Sequence, residues 1–210
     1  MVRAGLDSDP GGAVMNEQIF ETVVSTCSTA GAVHVAPMGV RYVGDQVVLK
    51  PFRPSTTLDN IVASGTAVLN LLSDVRVFAG CVTGRREWAT LDVHLAGEAR
   101  AVRLAAALEH VVLRLDSQDA DAQRPTLRLV RVRGERHAAW PGFNRAQAAV
   151  IEGAVLVSRL HLLSRAKIEA ELDYLQIAID KTAGAAEREA WGWLREAVAR
   201  AGAAAEAGVR

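Results

Sequence analysis

Long apolar runs are absent from this sequence. No stretch approaches the roughly 18 residues that a membrane-spanning helix needs, so no membrane partner is expected. The opening MVRAGLDSDPGGAV lacks the apolar centre of a secretion signal. Residues 1–14 read as a disordered leader, with Met15 as an alternative start. Cysteine is scarce too. Cys27 and Cys81 stand far apart and neither belongs to a CxxC pair, which argues against a disulfide framework and a structural zinc site. A reduced, cytoplasmic setting follows. Charge of one sign is missing as well: 24 basic residues balance 24 acidic ones. A chain that works by neutralising nucleic-acid phosphates is therefore not expected. Aromatic residues are only 5%, so Val, Leu and Ala must fill the interior.

Familiar catalytic signatures are also missing. There is no GxxxxGK phosphate loop and no GxSxG elbow. The five histidines, at 34, 94, 110, 137 and 161, show no HExxH spacing, and no metal site is assigned. His34 and His110 lie on strand-like runs and read as partly buried or surface residues. Cys81 has no histidine in a local nucleophile pattern and reads as a buried thiol. Arg128, Arg131, Arg133 and Arg136 read as a solvated stripe along one strand, opposite an acidic loop.

What is present is a chain of 210 residues, half of them hydrophobic, enough for one large domain or a domain with an appendage. FETVVST, VHVAPMGVRYV and QVVLKPF are rich in β-branched residues and predict a meander of strands. Ala30-Gly31 and Gly44-Asp45 supply its tight turns. Pro37 cannot donate to a ladder, so its segment belongs at an edge or a bulge. A short helix is predicted over Thr57–Ser64, stopped by Gly65, and AVLNLL makes the next strand. VRVFAGCVT fits helix or strand equally, and Leu91 to Leu104 reads as β or irregular. ALEHVVLRL and TLRLVRVR form a hairpin across the loop DSQDADAQRP. Six or seven strands precede residue 137, mostly antiparallel and without the strand–helix–strand rhythm of a Rossmann fold.

The texture changes at Trp140-Pro141-Gly142. Asn144 and Ser164 are positioned to cap two helices. Ile168, Leu172, Leu175 and Ile179 form one apolar stripe, with Gly184 as its stop. A third helix presents Trp191, Leu194 and Val198 and is expected to end at Gly202. The fold expectation is α+β, mainly β. The predicted organisation is a barrel domain over residues 15–140, a helical appendage over 141–202 and a flexible tail over 203–210.

One corner stands out. KPFRPSTT places Lys50, Arg53, Ser55, Thr56 and Thr57 where a strand gives way to a helix. One reading is a helix cap, Ser55 or Thr56, with solvated cations beside it. The other is a phosphate site: free N–H groups and the positive dipole end, hydroxyl donors, a guanidinium fork at Arg53 and a point charge at Lys50. The preceding VAPMGV offers an apolar lip and unpaired backbone groups, which suit a flat heteroaromatic ring. Its alternative is a β-bulge packed in the core. Ring and phosphate together suit FMN.

Five blocks in order, ETVVST, APMGV at 36–40, RPSTTLDNI at 53–61, AVLNLLSD at 67–74 and FNRAQAAVIEGAVLVSRL at 143–160, resemble the DUF447 family of FMN-binding split β-barrel proteins. The resemblance implies an antiparallel split β-barrel of the flavin-reductase kind with a C-terminal helical appendage. It implies a homodimer with FMN at or near the subunit interface. Arg53, Ser55, Thr56 and Thr57 would hold the FMN phosphate. Ala36, Met38 and Gly39 would line the isoalloxazine, mainly through backbone groups, and Lys50 would serve either end. Asn70 is a further candidate. Asn144 and Arg145, in FNRA, are candidates for a cofactor or partner-subunit contact, against the plain reading of a capping Asn and a helix-edge Arg. Residues 81–102 depart from the family pattern and leave the substrate side open.

The implied activity is that of a flavin-dependent oxidoreductase with no assigned substrate or catalytic residue. Relatives in organisms with tetrahydromethanopterin-linked one-carbon metabolism add a pterin context. A non-catalytic flavin carrier or redox sensor, a cofactor-free dimeric interaction module, and a barrel that takes the deazaflavin F420 remain as alternatives.

Overall fold

The structure is a computed structural model, described here for residues 18–93, 99–119 and 121–208. Eight strands and five helices occur among these residues, and six of the strands close a barrel. The leader and His94 lie outside the described residues.

The chain enters through β1 (Phe20–Cys27), β2 (Val33–Val43) and β3 (Gln46–Leu49), each antiparallel to the last. Gly44, at φ 56°, makes the two-residue turn between β2 and β3. Helix α1 (Thr56–Ser64) follows and ends at Gly65, whose left-handed φ of 72° lets its N–H reach the Ile61 carbonyl. β4 (Thr66–Leu71) returns antiparallel to β1. The ambiguous VRVFAGCVT segment resolves into helix α2 (Arg76–Val82). β5 (Thr90–Val93) and β6 (Ala101–Leu104) form a separate two-stranded sheet. β7 (Glu109–Gln118) and β8 (Leu127–Arg136) are the expected hairpin, with register shifts after Val112 and Leu115. The barrel order is β1-β2-β3-β8-β7-β4.

Alternation along β1 and β2 sets two faces. Val24 and Val40 point into the barrel with Leu49, Leu58, Ile61, Leu69, Leu113 and Leu129. Val23 and Val35 point outward, into a second core with helical residues. That core takes Val77 and Phe78 of α2, Val150 of α3 (Arg145–Ser158), Ile168 and Leu172 of α4 (Arg165–Thr182), and Trp191 and Leu194 of α5 (Ala185–Gly208). The helical appendage is thus a layer laid on the barrel wall, and α2 belongs to it. Asn144 caps α3 and Ser164 caps α4, as expected. Gly153 brings α3 against α5: a Cβ there would lie 2.9 Å from the Trp191 ring.

Gly202 does not end the third helix. α5 runs on to Gly208, so the expected flexible tail is helical through most of its length. A lone glycine costs a helix only about 1 kcal/mol, and alanines surround it. Its missing side chain leaves room for the Arg165 guanidinium, which occupies the place a Cβ would need. No helix among the described residues is long and apolar enough to cross a membrane.

Candidate functional site

β3 covers only Val40–Val43 of β2. From Val33 to Gly39 the strand pairs with β1 on one side and with no strand on the other, among the described residues. The expected edge position of Pro37 is therefore what the sheet shows. The tight turn makes Val43 and Gln46 a hydrogen-bonded pair, so odd-numbered residues of β2 direct their backbone groups toward β3 and, before Val40, toward the free edge. Val33, Val35, Pro37 and Gly39 present that edge. Pro37 then loses nothing by having no N–H.

This corrects one expectation. Ala36 and Met38 direct their backbone groups at β1, opposite Val24 and Thr22, and the Met38 carbonyl also accepts the Thr22 hydroxyl at 2.8 Å. Of the three residues expected to line a ring through the backbone, only Gly39 faces the open side. Its closest neighbour is Ile19, whose Cγ2 would lie 2.7 Å from a Cβ at that position.

Part of the free edge is already engaged. The Cys81 thiol of α2 donates to the Val35 carbonyl at 3.6 Å. Burial pushes that thiol's pKa up, so it remains a neutral S–H. Beside Val33 and Val35 opens a groove of about 360 Å³, walled by Arg86, Trp88 and Thr90. Arg86 makes no ion pair among the described residues. Burial first, and then the Arg86 charge, hold the His34 pKa below its ordinary value. His34 is a neutral imidazole at neutral pH.

The corner after β3 is built from α1. Ser55 is its cap, its hydroxyl accepting the Leu58 N–H at 3.2 Å. The amides of Thr56 and Thr57 have no acceptor among the described residues, which is normal for a first helical turn. Thr56 is exposed. Thr57 is 1% exposed, and its Oγ1 is buried without a hydrogen-bond partner. Asn60 ties the helix to the barrel, donating to Thr26 Oγ1 at 2.9 Å. Lys50 and Arg53 are exposed and make no ion pair among the described residues. Asp59, also in the first turn, opposes an anion there, as does Asp121 of the β7–β8 loop, which feels the Lys50 charge.

Barrel closure brings a third cation to this corner. Pairing of β3 with β8 sets Leu49 opposite Leu127, so the β7–β8 loop lies beside the corner. The Arg53 N–H donates to the Gln123 carbonyl at 2.9 Å. Arg124 donates to the Lys50 carbonyl at 3.2 Å, and its guanidinium stacks 4.3 Å above the Phe52 ring. Asp121 accepts the Gln123 and Arg124 amides, which lower its pKa and fix the loop. Sequence reasoning misses Arg124 because its loop reads as acidic and polar.

Two expected site residues are committed to the fold. Asn70 is fully buried. Its amide nitrogen donates to Ser25 Oγ at 3.0 Å and to the Val23 and Val68 carbonyls at 3.2 Å, and its oxygen accepts the Leu104 N–H at 2.8 Å. It pins β6 over β1 and β4 and has no group left for a cofactor. Asn144 caps α3 through Oδ1, accepting from Ala146 and Gln147, and donates to the Thr182 carbonyl at 3.1 Å. Arg145 instead lines an open groove of about 460 Å³ between α3 and α4, with Glu152, Tyr174 and Ile177.

The closed antiparallel barrel with its helical layer is a split β-barrel of the FMN-binding type. Residues 20–138 match the family model described as "Protein of unknown function (DUF447) N-terminal domain", and residues 144–196 match "Protein of unknown function (DUF447)". The chain belongs to the DUF447 family. An FMN-bound DUF447 protein from Methanosarcina mazei is similar over 87% of this chain and 96% of its own, at 23% identity and a TM-score of 0.76. Weaker likenesses include flavoredoxin from Methanosarcina acetivorans, at 10% identity, TM-score 0.47 and 60% of this chain against 76% of that one. The styrene monooxygenase flavin reductase of Pseudomonas putida gives 12% identity, TM-score 0.45 and coverages of 56% and 81%. No curated protein matches the chain.

Proposed function

We propose that this chain is an FMN-binding flavoprotein with oxidoreductase activity. The phosphate would rest on the first turn of α1, and the ring would lie along the free edge of β2. The observation that carries this reading is the α1 corner. Two free amides, an unpartnered buried hydroxyl on Thr57 and two unpaired cations, Lys50 and Arg53, are more than a helix cap requires. The FMN bound by the Methanosarcina mazei relative supports it.

These residues fit the group. Arg53 would clamp phosphate oxygens through its planar fork, and Lys50 would add a point charge. Thr56 and Thr57 would donate from their amides and hydroxyls. Ser55 would hold the turn by capping it. Arg124, by gripping the Lys50 carbonyl, would keep the corner in place. Along the ring, the carbonyl of Pro37 and both backbone groups of Gly39 are the edge contacts available, and the apolar flank comes from Met38. Bound flavin supplies hydride and single-electron transfer, and the protein supplies placement and electrostatics. On the substrate side, Arg86 would orient a negatively charged group. His34, neutral at working pH, would donate or accept a hydrogen bond. A second copy of the chain would complete the site. The exposed Phe52, Trp140, Phe143, Tyr174 and Ile177 give it apolar surface to cover.

The test is the visible absorption spectrum of freshly purified protein, with the released chromophore identified by mass. FMN in the spectrum and in the mass supports the reading, and a deazaflavin mass replaces FMN with F420. A colourless protein that also fails to take up added FMN refutes it. Turnover with a nicotinamide donor, and with a reduced pterin as the alternative donor, separates an enzyme from a flavin carrier.

A further inference from the structure

Two histidines outside the proposed flavin site meet where the β7–β8 hairpin ends. His110 lies on β7 and is 2% exposed. Its Nδ1 is 2.8 Å from Nε2 of His137, the residue after β8. The ring centroids are 5.0 Å apart and the planes differ by 2°. With the nitrogens this close, the rings lie edge to edge in one plane and share one hydrogen bond. His110 Nε2, on the far side, is buried without a partner. His137 Nδ1 is 4.0 Å from Glu135 Oε1.

Whichever ring donates, the bridge needs a proton on one facing nitrogen and a lone pair on the other. With one ring charged, the neutral ring still turns a lone pair to the bridge. With both rings charged, N–H is set against N–H and the bridge breaks. The surrounding charges are mixed. Arg103 of β6 and Arg133 of β8 oppose protonation, Glu135 favours it, and Glu109 and Arg136 form a 3.5 Å ion pair on the same hairpin end. Burial first, then His137 and Arg103, hold the His110 pKa below its ordinary value.

The bridge sits at a junction. The His137 and Ala138 amides both donate to the Leu108 carbonyl, at 2.8 and 3.1 Å. Residues 139–143 add no hydrogen bond to the barrel among the described residues, and the next anchor is the Asn144 cap of α3. We propose that His110 and His137 form a proton-operated latch that holds the linker of the helical layer to the barrel. The latch contributes fully above the ordinary histidine pKa of about 6.5. Its contribution is lost as pH falls below that value toward the folded-state pKa.

Hydrogen exchange of the full-length protein tests this, from about pH 8 to about pH 5 and corrected for intrinsic rates. In wild type, protection of the His137 and Ala138 amides should fall by about tenfold or more, while Val111 and Leu113 stay protected. His137→Gln can still accept from His110 Nδ1 and takes up no proton at 137, so its protection should fall clearly less with pH than that of wild type; an equal fall overturns the proposal. Unchanged wild-type protection overturns the proposal. So do two ring titrations, followed by nitrogen NMR, that run independently at the ordinary histidine pKa. The NMR titration uses wild type alone and decides the matter even if the variant fails to fold.

Discussion

Replacing Thr57 with valine should move stability and cofactor affinity in opposite directions. The Thr57 hydroxyl is buried without a partner in the first turn of α1. Burying an unpaired hydroxyl costs about 1–3 kcal/mol, and valine keeps nearly the same shape without that group. The cofactor-free Thr57→Val protein should therefore be more stable, by about 1 kcal/mol after the loss of any local compensation. A hydrogen bond from this hydroxyl to a phosphate is charge-assisted and worth about 1.5–3 kcal/mol, so FMN should bind about 10- to 100-fold more weakly. Urea unfolding of the stripped protein gives the first quantity, from the midpoint at constant slope. Quenching of FMN fluorescence gives the second. A variant that is less stable and binds FMN as well as wild type would refute the reasoning, because the hydroxyl would then serve the fold.

Arg53→Ala should abolish FMN retention and leave the unfolding midpoint unchanged, since the side chain is exposed and only its backbone N–H bonds the β7–β8 loop; the flavin-to-protein absorbance ratio and a urea curve check both halves. Asn70→Ala should destabilise by about 1–3 kcal/mol, because it strands the buried Leu104 N–H, while the Ser25 hydroxyl keeps its bond to the Val102 carbonyl; chemical unfolding measures it. Gly153→Ala should cost about 1–3 kcal/mol through overpacking, with its new carbon against the Trp191 ring; the tryptophan emission of the folded protein should shift with the midpoint.

Local chemistry was legible in the sequence. The Gly44-Asp45 turn, the Ser55 and Asn144 caps and the Gly65 stop are each decided by residues within one turn of each other. Barrel closure was not, because pairing of β3 with β8 joins residues far apart in the chain. Arg124 therefore reached the corner unannounced. The α2 segment was undecidable because almost every residue in it is apolar, leaving no period to read. Asn70 misled for a different reason: an asparagine on a strand looks alike whether it meets a ligand or clamps three strands. The Ala36 and Met38 expectation failed on backbone direction, which the tight turn sets and which apolar patterning does not reveal.

Val23 and Val35 give β1 and β2 an outer face that a lone barrel would have to leave wet. A protein cut after residue 138 would carry those valines, together with Val77 and Phe78, as a fresh greasy patch. Such a fragment should clump and not fold, even though every barrel strand is present. The boundary between the two matched family segments is therefore a seam in the sequence with no counterpart in the packing. A change of volume on the inner surface of α3 would then be felt along β1 and β2, because both line one core.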